Sequence, residues 1–184
     1  MYGVIFDFLR DYVIEKHGGK ATWETLLTAT GQSVHKIYFP VTEYPDEEIV
    51  AIAKIASEAL GLPLPAVLED FGSFTGKKLM TFYHMYVAND SWKTFDVIEH
   101  AGKSIHHYVH KHNPMRKPPQ LTGERISPNE MIVHYVSARM MCPVVKGIVR
   151  GLGDHFNEQF EVEETQCMHH GARECTFRVT RVLH

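Results

Sequence analysis

Cysteine is scarce in this chain: Cys142, Cys167 and Cys175 are the only three among 184 residues. An odd number of thiols argues against a disulfide framework and for a reducing compartment. Long hydrophobic runs are missing too, and none approaches the roughly 18 residues that span a bilayer. The opening Met1-Tyr2-Gly3-Val4-Ile5-Phe6-Asp7 has no basic leader, so a cytoplasmic location without a membrane partner is expected. A large excess of either charge is absent: the net charge of −3 offers no electrostatic case for nucleic acid or an anionic membrane. Neither an internal repeat nor a low-complexity stretch is present. What remains, 44% hydrophobic and 22% charged, suits one globular domain with a core and one large apolar pocket.

Histidine, by contrast, is abundant. Thirteen occur, five of them between His100 and His112, and His169 and His170 fall between two of the cysteines. Apolar periodicity predicts helices over Val4–Lys16, Ala21–Ala29 and Asp46–Gly61, with Asp46 as the N-cap of the third. A shorter helix to Gly72 follows Pro63-Leu64-Pro65, and the aromatic segment from Phe74 to Asp90 has no clear period. Ser91–Lys111 reads as helix, and Pro114, Pro118 and Pro119 force an extended linker. Beyond it, Glu130–Arg139 alternates like a strand, Pro143–Phe160 reads as helix, and Phe160–Glu164 and Cys175–Leu183 read as strands. The fold class expected is α+β: a helical lobe over about 1–115 against an α+β lobe with an antiparallel sheet over about 116–184, the whole of 1–184 forming one domain.

On the Ser91–Lys111 helix, at about 100° per residue, Phe95, Ile98, Ala101, Gly102, Ile105 and Val109 share a face. His100 and His107 point away from it, His110 lies well off it, and His106 sits on its edge. Gly102, one turn earlier, would let something flat approach His106. A buried histidine bonded to a carbonyl is the bland alternative. A His106/His110 zinc pair is the other, and it lacks the glutamate of the metalloprotease motif.

On the Glu130–Arg139 strand, Tyr135, Ser137 and Arg139 share a face, because side chains alternate. A phenol, a hydroxyl and a guanidinium in a row suit a dianion such as the two propionates of a haem. An exposed polar strand face is the plainer reading. Cys142, Cys167 and Cys175, with Glu164 or His169 as a fourth ligand, would close a tetrahedral zinc site. Three reduced, partly buried thiols, or a redox-responsive cluster, are the alternatives.

The run Ile105-His106-His107-Tyr108-Val109-His110-Lys111-His112-Asn113-Pro114, then Pro118-Pro119, then Tyr135-x-Ser137-x-Arg139, resembles the haem-nitric oxide/oxygen binding (H-NOX) domain. That domain is the bacterial relative of the haem domain of soluble guanylate cyclase, and the resemblance extends over the whole chain. It implies a haem b held between two lobes. His106 would be the ligand to iron, with Tyr135, Ser137 and Arg139 as the propionate clamp. Pro119 would press on the porphyrin, and Ile5 would pack against it. Members that hold oxygen stably use a distal tyrosine, and the position that counts to it here is Val144, so the resemblance implies a nitric oxide sensor that discriminates against oxygen. Tyr83 and Tyr86 leave open a donor from elsewhere. Some bacterial members bind zinc at cysteines like these.

The mechanism implied is that nitric oxide weakens the His106–Fe bond, the haem relaxes against Pro119, and the lobes shift. A partner protein, a histidine kinase or diguanylate cyclase, would read that shift, with no catalysis by the chain itself. The alternative is a small-molecule-binding regulatory domain of the 4-vinyl reductase type, without haem. A histidine-based metallohydrolase would need a carboxylate in register with His106 and His110, and none is found.

Overall fold

A computed structural model describes residues 1–87, 91–101 and 119–183, with the backbone alone for 82–87. Four helices come first: α1 (Gly3–Lys16), α2 (Gly19–Ala29), α3 (Asp46–Leu60) and α4 (Leu64–Val87). They are followed by α5 (Thr94–His100), β1 (Gln120–Ser127), β2 (Glu130–Val136), α6 (Cys142–Phe156), β3 (Phe160–Gln166) and β4 (Cys175–Arg181). The fold is α+β, as the sequence pattern suggests.

The helical half closes around Phe6, Leu9, Tyr12, Trp23, Leu27 and Ile52. The four strands form an antiparallel sheet in the order β1-β2-β4-β3. Alternation on β2 sends Met131, Val133 and Tyr135 to the inner face, where they meet Val179, Phe177 and Cys175 of β4 in register. α5 adds Phe95 and Ile98 to this second core, and α6 adds Val145, Val149 and Leu152.

α4 and α6 join the two halves through a seam without side chains. Gly72 and Gly76 of α4 lie against Gly147 and Gly151 of α6. A Cβ on Gly147 would meet the Glu69 carbonyl oxygen and come within 2.8 Å of the Gly72 Cα. Only glycine permits so close an approach. This explains why α4 does not stop near Gly72, as expected, but runs on through the aromatic segment: the glycines are there for contact, not for termination. Across the seam Glu69 is ion-paired with Lys146 and Arg150, and Lys77 with Asp154 at 2.7 Å.

Three further local expectations change. β1 carries too little alternation to be read as a strand; it is recruited by pairing with β2 across the Pro128-Asn129 turn. β2 ends at Val136 rather than Arg139, because the chain turns there. Asp46 is the first residue of α3 and not its cap, which is Pro45; its carboxylate is used elsewhere. Among the described residues no single helix is long and apolar enough to cross a membrane.

Candidate functional site

The turn from Ser137 to Met141 links the end of β2 to the start of α6 and carries the densest chemistry. Tyr135 is the last inward residue of β2 and is 5% exposed. Its hydroxyl contacts the Ser137 side chain and the Met141 backbone, and burial pushes the phenol above its ordinary pKa despite these contacts. Ser137 is also buried, and its Oγ accepts from the Arg139 backbone N–H at 3.3 Å. The trio therefore comes together, but by a turn folding back on its strand, not by strand alternation. Met140 has a φ of 50°, a left-handed conformation that a non-glycine residue adopts at a cost of about 1–2 kcal/mol. Strain of this kind concentrates at functional sites.

Arg139 reaches from the sheet half to the helical half. Its Nε lies 2.8 Å from Asp46 Oδ1, and the guanidinium side chain is only 13% exposed. The same oxygen accepts from the Met1 amine at 2.6 Å. Burial works against the charge on Asp46, but the amine and Arg139 outweigh it and hold the carboxyl below its usual range. Sequence reasoning missed Asp46 in this role, since its partner lies far away in the chain and its acidic helix start has a ready local explanation.

Ile5 on α1 and Val144 on α6 both pack, partly buried, on the helical core. Pro119 is half-buried just ahead of β1. Ile5 and Val144 offer apolar surface and Tyr135, Ser137 and Arg139 offer two hydroxyls and a cation, a donor set that would suit a flat apolar group carrying two carboxylates. His106, with Gly102, His107, His110, Pro114 and Pro118, lies outside the described residues, and so do the side chains of Tyr83 and Tyr86.

The three cysteines converge on the far side of the same turn. Cys142 opens α6, Cys175 opens β4 opposite Tyr135, and Cys167 follows β3. Their sulfurs stand 3.7 Å (Cys142–Cys167) and 3.9 Å (Cys175–Cys167) apart, and no disulfide joins them. A Glu164 carboxylate oxygen joins them, all four ligand atoms lying within 4.8 Å of one another. A bulge in β3 between Glu164 and Gln166 sits beside that carboxylate. His169 is turned elsewhere, its Nε2 2.7 Å from the Met140 carbonyl oxygen. Thiolates bound tetrahedrally at about 2.3 Å from zinc stand about 3.8 Å apart. Burial, then the neighbouring thiols, raises the Cys142 pKa; burial, then Glu164, raises that of Cys167. Such thiols ionise only when a cation compensates them.

A family model described as Haem-NO-binding matches residues 2–164. The curated protein "Soluble guanylate cyclase gcy-31" of Caenorhabditis elegans is 26% identical over 165 residues, covering 89% of this chain and 23% of that protein. The chain therefore spans less than a quarter of the curated relative it matches. Among solved structures, an H-NOX protein from S. oneidensis in the Fe(II)NO ligation state has a TM-score of 0.88 and 24% identity, with 100% of each chain covered. An oxygen-binding H-NOX domain related to soluble guanylate cyclases, in its oxygen complex, has a TM-score of 0.85 and 19% identity, covering 100% of this chain and 96% of that one. Both likenesses show the fold.

Proposed function

This chain belongs to the Haem-NO-binding family, and from that premise we propose that it senses nitric oxide in preference to oxygen and passes the signal to a partner protein. The family is one of haem gas-sensor domains, which favours this reading over a haem-free regulatory domain. When bound, the haem supplies a ferrous iron able to take a diatomic gas.

The chain's residues do the holding and the selecting. His106 is assigned as the protein ligand to iron, on its position in the family motif. Tyr135, Ser137 and Arg139 are assigned to the two propionates. The observation that carries this is a guanidinium almost shut off from water, beside two buried hydroxyls, where the two cores meet. A buried cation is costly unless anions meet it. Because Asp46 already engages Arg139, a propionate there would share or compete for the guanidinium, coupling haem position to the contact between the halves. Ile5 and Pro119 are assigned to apolar contact with the ring.

Val144 accounts for the gas preference. A bound oxygen carries partial negative charge and needs a hydrogen-bond donor, which a valine side chain lacks; nitric oxide binds ferrous iron strongly without one. Zinc in the Cys142/Glu164/Cys167/Cys175 cluster would fix the far end of the same turn. A histidine kinase or diguanylate cyclase is the proposed receiver of the signal, and no catalytic role is assigned to the chain itself.

The deciding measurement is an absorption spectrum of the ferrous protein in air and then under nitric oxide. We expect a Soret band unchanged by air and shifted by nitric oxide. A stable oxygen complex defeats the preference, and a colourless protein from haem-replete cells defeats the haem. His106→Gly is expected to lose haem unless imidazole is added; retention without imidazole would mean another ligand.

A further inference from the structure

We infer that Glu158 is a positioning residue for the iron ligand: it fixes the start of the segment that leads to His106 and so limits how far that histidine can follow the iron. The inference rests on the sensing reading above, which assigns His106 to the iron. α5 runs from Thr94 to His100, and His106 follows it in the chain. The first amides of a helix lack partners within it and must find them elsewhere. Lys93, just ahead of α5, donates its backbone N–H to Asp96 Oδ2 at 2.8 Å, a local solution. The Thr94 amide instead donates to Glu158 Oε2 at 3.0 Å, 64 positions along the chain.

Further contacts make Glu158 a fixed point. Its Oε1 lies 2.6 Å from Arg181 Nη2 at the end of β4, and its side chain is 11% exposed. Its backbone N–H donates to the Gly153 carbonyl oxygen at 2.8 Å, closing α6 behind Asn157, whose φ of 55° is left-handed. Gly153 leaves room for this, since a Cβ there would stand 2.7 Å from the Glu158 carbonyl oxygen. The Arg181 guanidinium also lies over the Phe95 ring at 5.7 Å, and Phe95 packs on Phe160 at 5.2 Å. Thr94 and Phe95 are accordingly buried. A carboxylate with both oxygens engaged cannot swing away without stranding a charge that is largely shut off from water.

α6 gives this contact its use. Val144, assigned to the gas face, stands in the first turn of α6, and Glu158 lies just past its last. One helix thus runs from the position that meets the gas to the residue that holds the start of α5. The apolar spacing of Ser91–Lys111 predicts a helix between Thr94 and His106, a stiff link. With the start of that link fixed, His106 follows an iron drawn toward the gas only a short way, and further pull loads the His106–Fe bond. A loose start would let the histidine travel with the iron and keep the bond. Glu158 therefore turns gas binding into bond weakening rather than into drift of the helix.

The test compares Glu158→Ala with Glu158→Gln, which keeps a carbonyl oxygen for the Thr94 amide, in the haem-loaded protein. Under nitric oxide, absorption and electron paramagnetic resonance spectra over a range of temperature separate protein with the His106–Fe bond intact from protein in which it is broken. Glu158→Ala is expected to raise the ratio of intact to broken about three-fold or more, and Glu158→Gln to stay near the parent. A purely structural role would lower Tm and leave that ratio alone. An unchanged ratio in haem-loaded Glu158→Ala overturns the inference, as does a Glu158→Gln ratio shifted equally far. Should Glu158→Ala fail to fold or to take up haem, Arg181→Gln, which releases Oε1, replaces it: a shift in the same direction supports the role and no shift overturns it. A colourless parent sinks the sensing reading, whereas a red parent with an indifferent alanine variant sinks the role of Glu158 alone.

Discussion

The helical half and the sheet half are both apolar inside, yet they are packed on different rules. Both have fully buried side chains, Met131, Cys175, Phe177 and Val179 in the sheet half and Phe6, Leu27 and Ile52 in the helical half, but their arrangement differs. A pleated sheet places side chains at fixed two-residue intervals, and α6 closes over them as a lid of matched size. In the helical half aromatic rings carry the core, Phe6 stacking on Tyr38 at 4.1 Å and Tyr44 meeting Phe6 edge-on at 5.7 Å. That half also keeps a cavity of about 60 Å³ and leaves Ile37, Phe39 and Val41 exposed on the loop ahead of α3. The difference teaches where deformation is cheap. The Tyr135–Ser137–Arg139 group stands on the sheet side, and Arg139 reaches from it to Asp46 of the helical half.

The contrast depends on the seam, so the largest expected effect is there. Gly147→Leu would drive a side chain into the α4 backbone, which cannot step aside, at a cost of about 3 kcal/mol or more. For a chain of this size that lowers Tm by roughly 10 °C. A calorimetric scan showing no loss would mean the halves do not bear on each other through these glycines. Next is Cys167→Ser, expected to drop zinc stoichiometry from one to well below one in protein grown with zinc, and to lower Tm in the metal-loaded form only. An equal effect in chelator-treated protein would reduce the cluster to ordinary packing.

Arg139→Ala removes the ion pair between the halves and is expected to cost about 1–2 kcal/mol, since Asp46 is 38% exposed and keeps the Met1 amine. Haem retention should fall with it, and Arg139→Lys should restore the charge but not the planar fork. Denaturant titration and haem content report the two effects separately. Acid sharpens the same contact. The Asp46 pKa is lowered in the folded state, so its stabilisation is complete above the unfolded value near 3.8 and disappears as pH falls through the lower folded value. Asp46→Asn should flatten the stability profile below pH 4, as read by urea midpoints. Smallest is Arg125→Ala on the solvent side. Arg125 pairs with Asp96 at 2.8 Å and Glu99 at 3.2 Å, but all three are about a third exposed, so no more than about 1 kcal/mol is expected.

Much of this was legible in the chain beforehand. The starts and ends of α1, α2 and α3 follow from apolar spacing and punctuation by Gly18, Gly31 and Gly61. The family motif picks out Tyr135, Ser137 and Arg139, and the cysteines with Glu164 or His169 were already grouped. What escaped depends on distant surfaces. Gly72 reads as a helix end until α6 is laid against it. β1 has little pattern of its own until β2 supplies the hydrogen bonds. Asp46 looks like a cap until Arg139, on another element, takes the carboxylate. Glu164 over His169 was likewise undecidable from spacing, since a bulge and a short helical turn set which one meets the sulfurs.

Tyr135 and Cys175 face each other across neighbouring strands, so one pairing choice sets two chemistries. Were β2 to zip against β4 displaced by a single residue, the phenol and the thiol would part and Tyr135 would turn outward. On the roles proposed above for Tyr135 and the three thiols, a fraction mispaired in this way should lose haem uptake and zinc uptake together. With both groups bound as proposed, the fidelity of strand pairing would be readable from the correlation between two stoichiometries in a single sample.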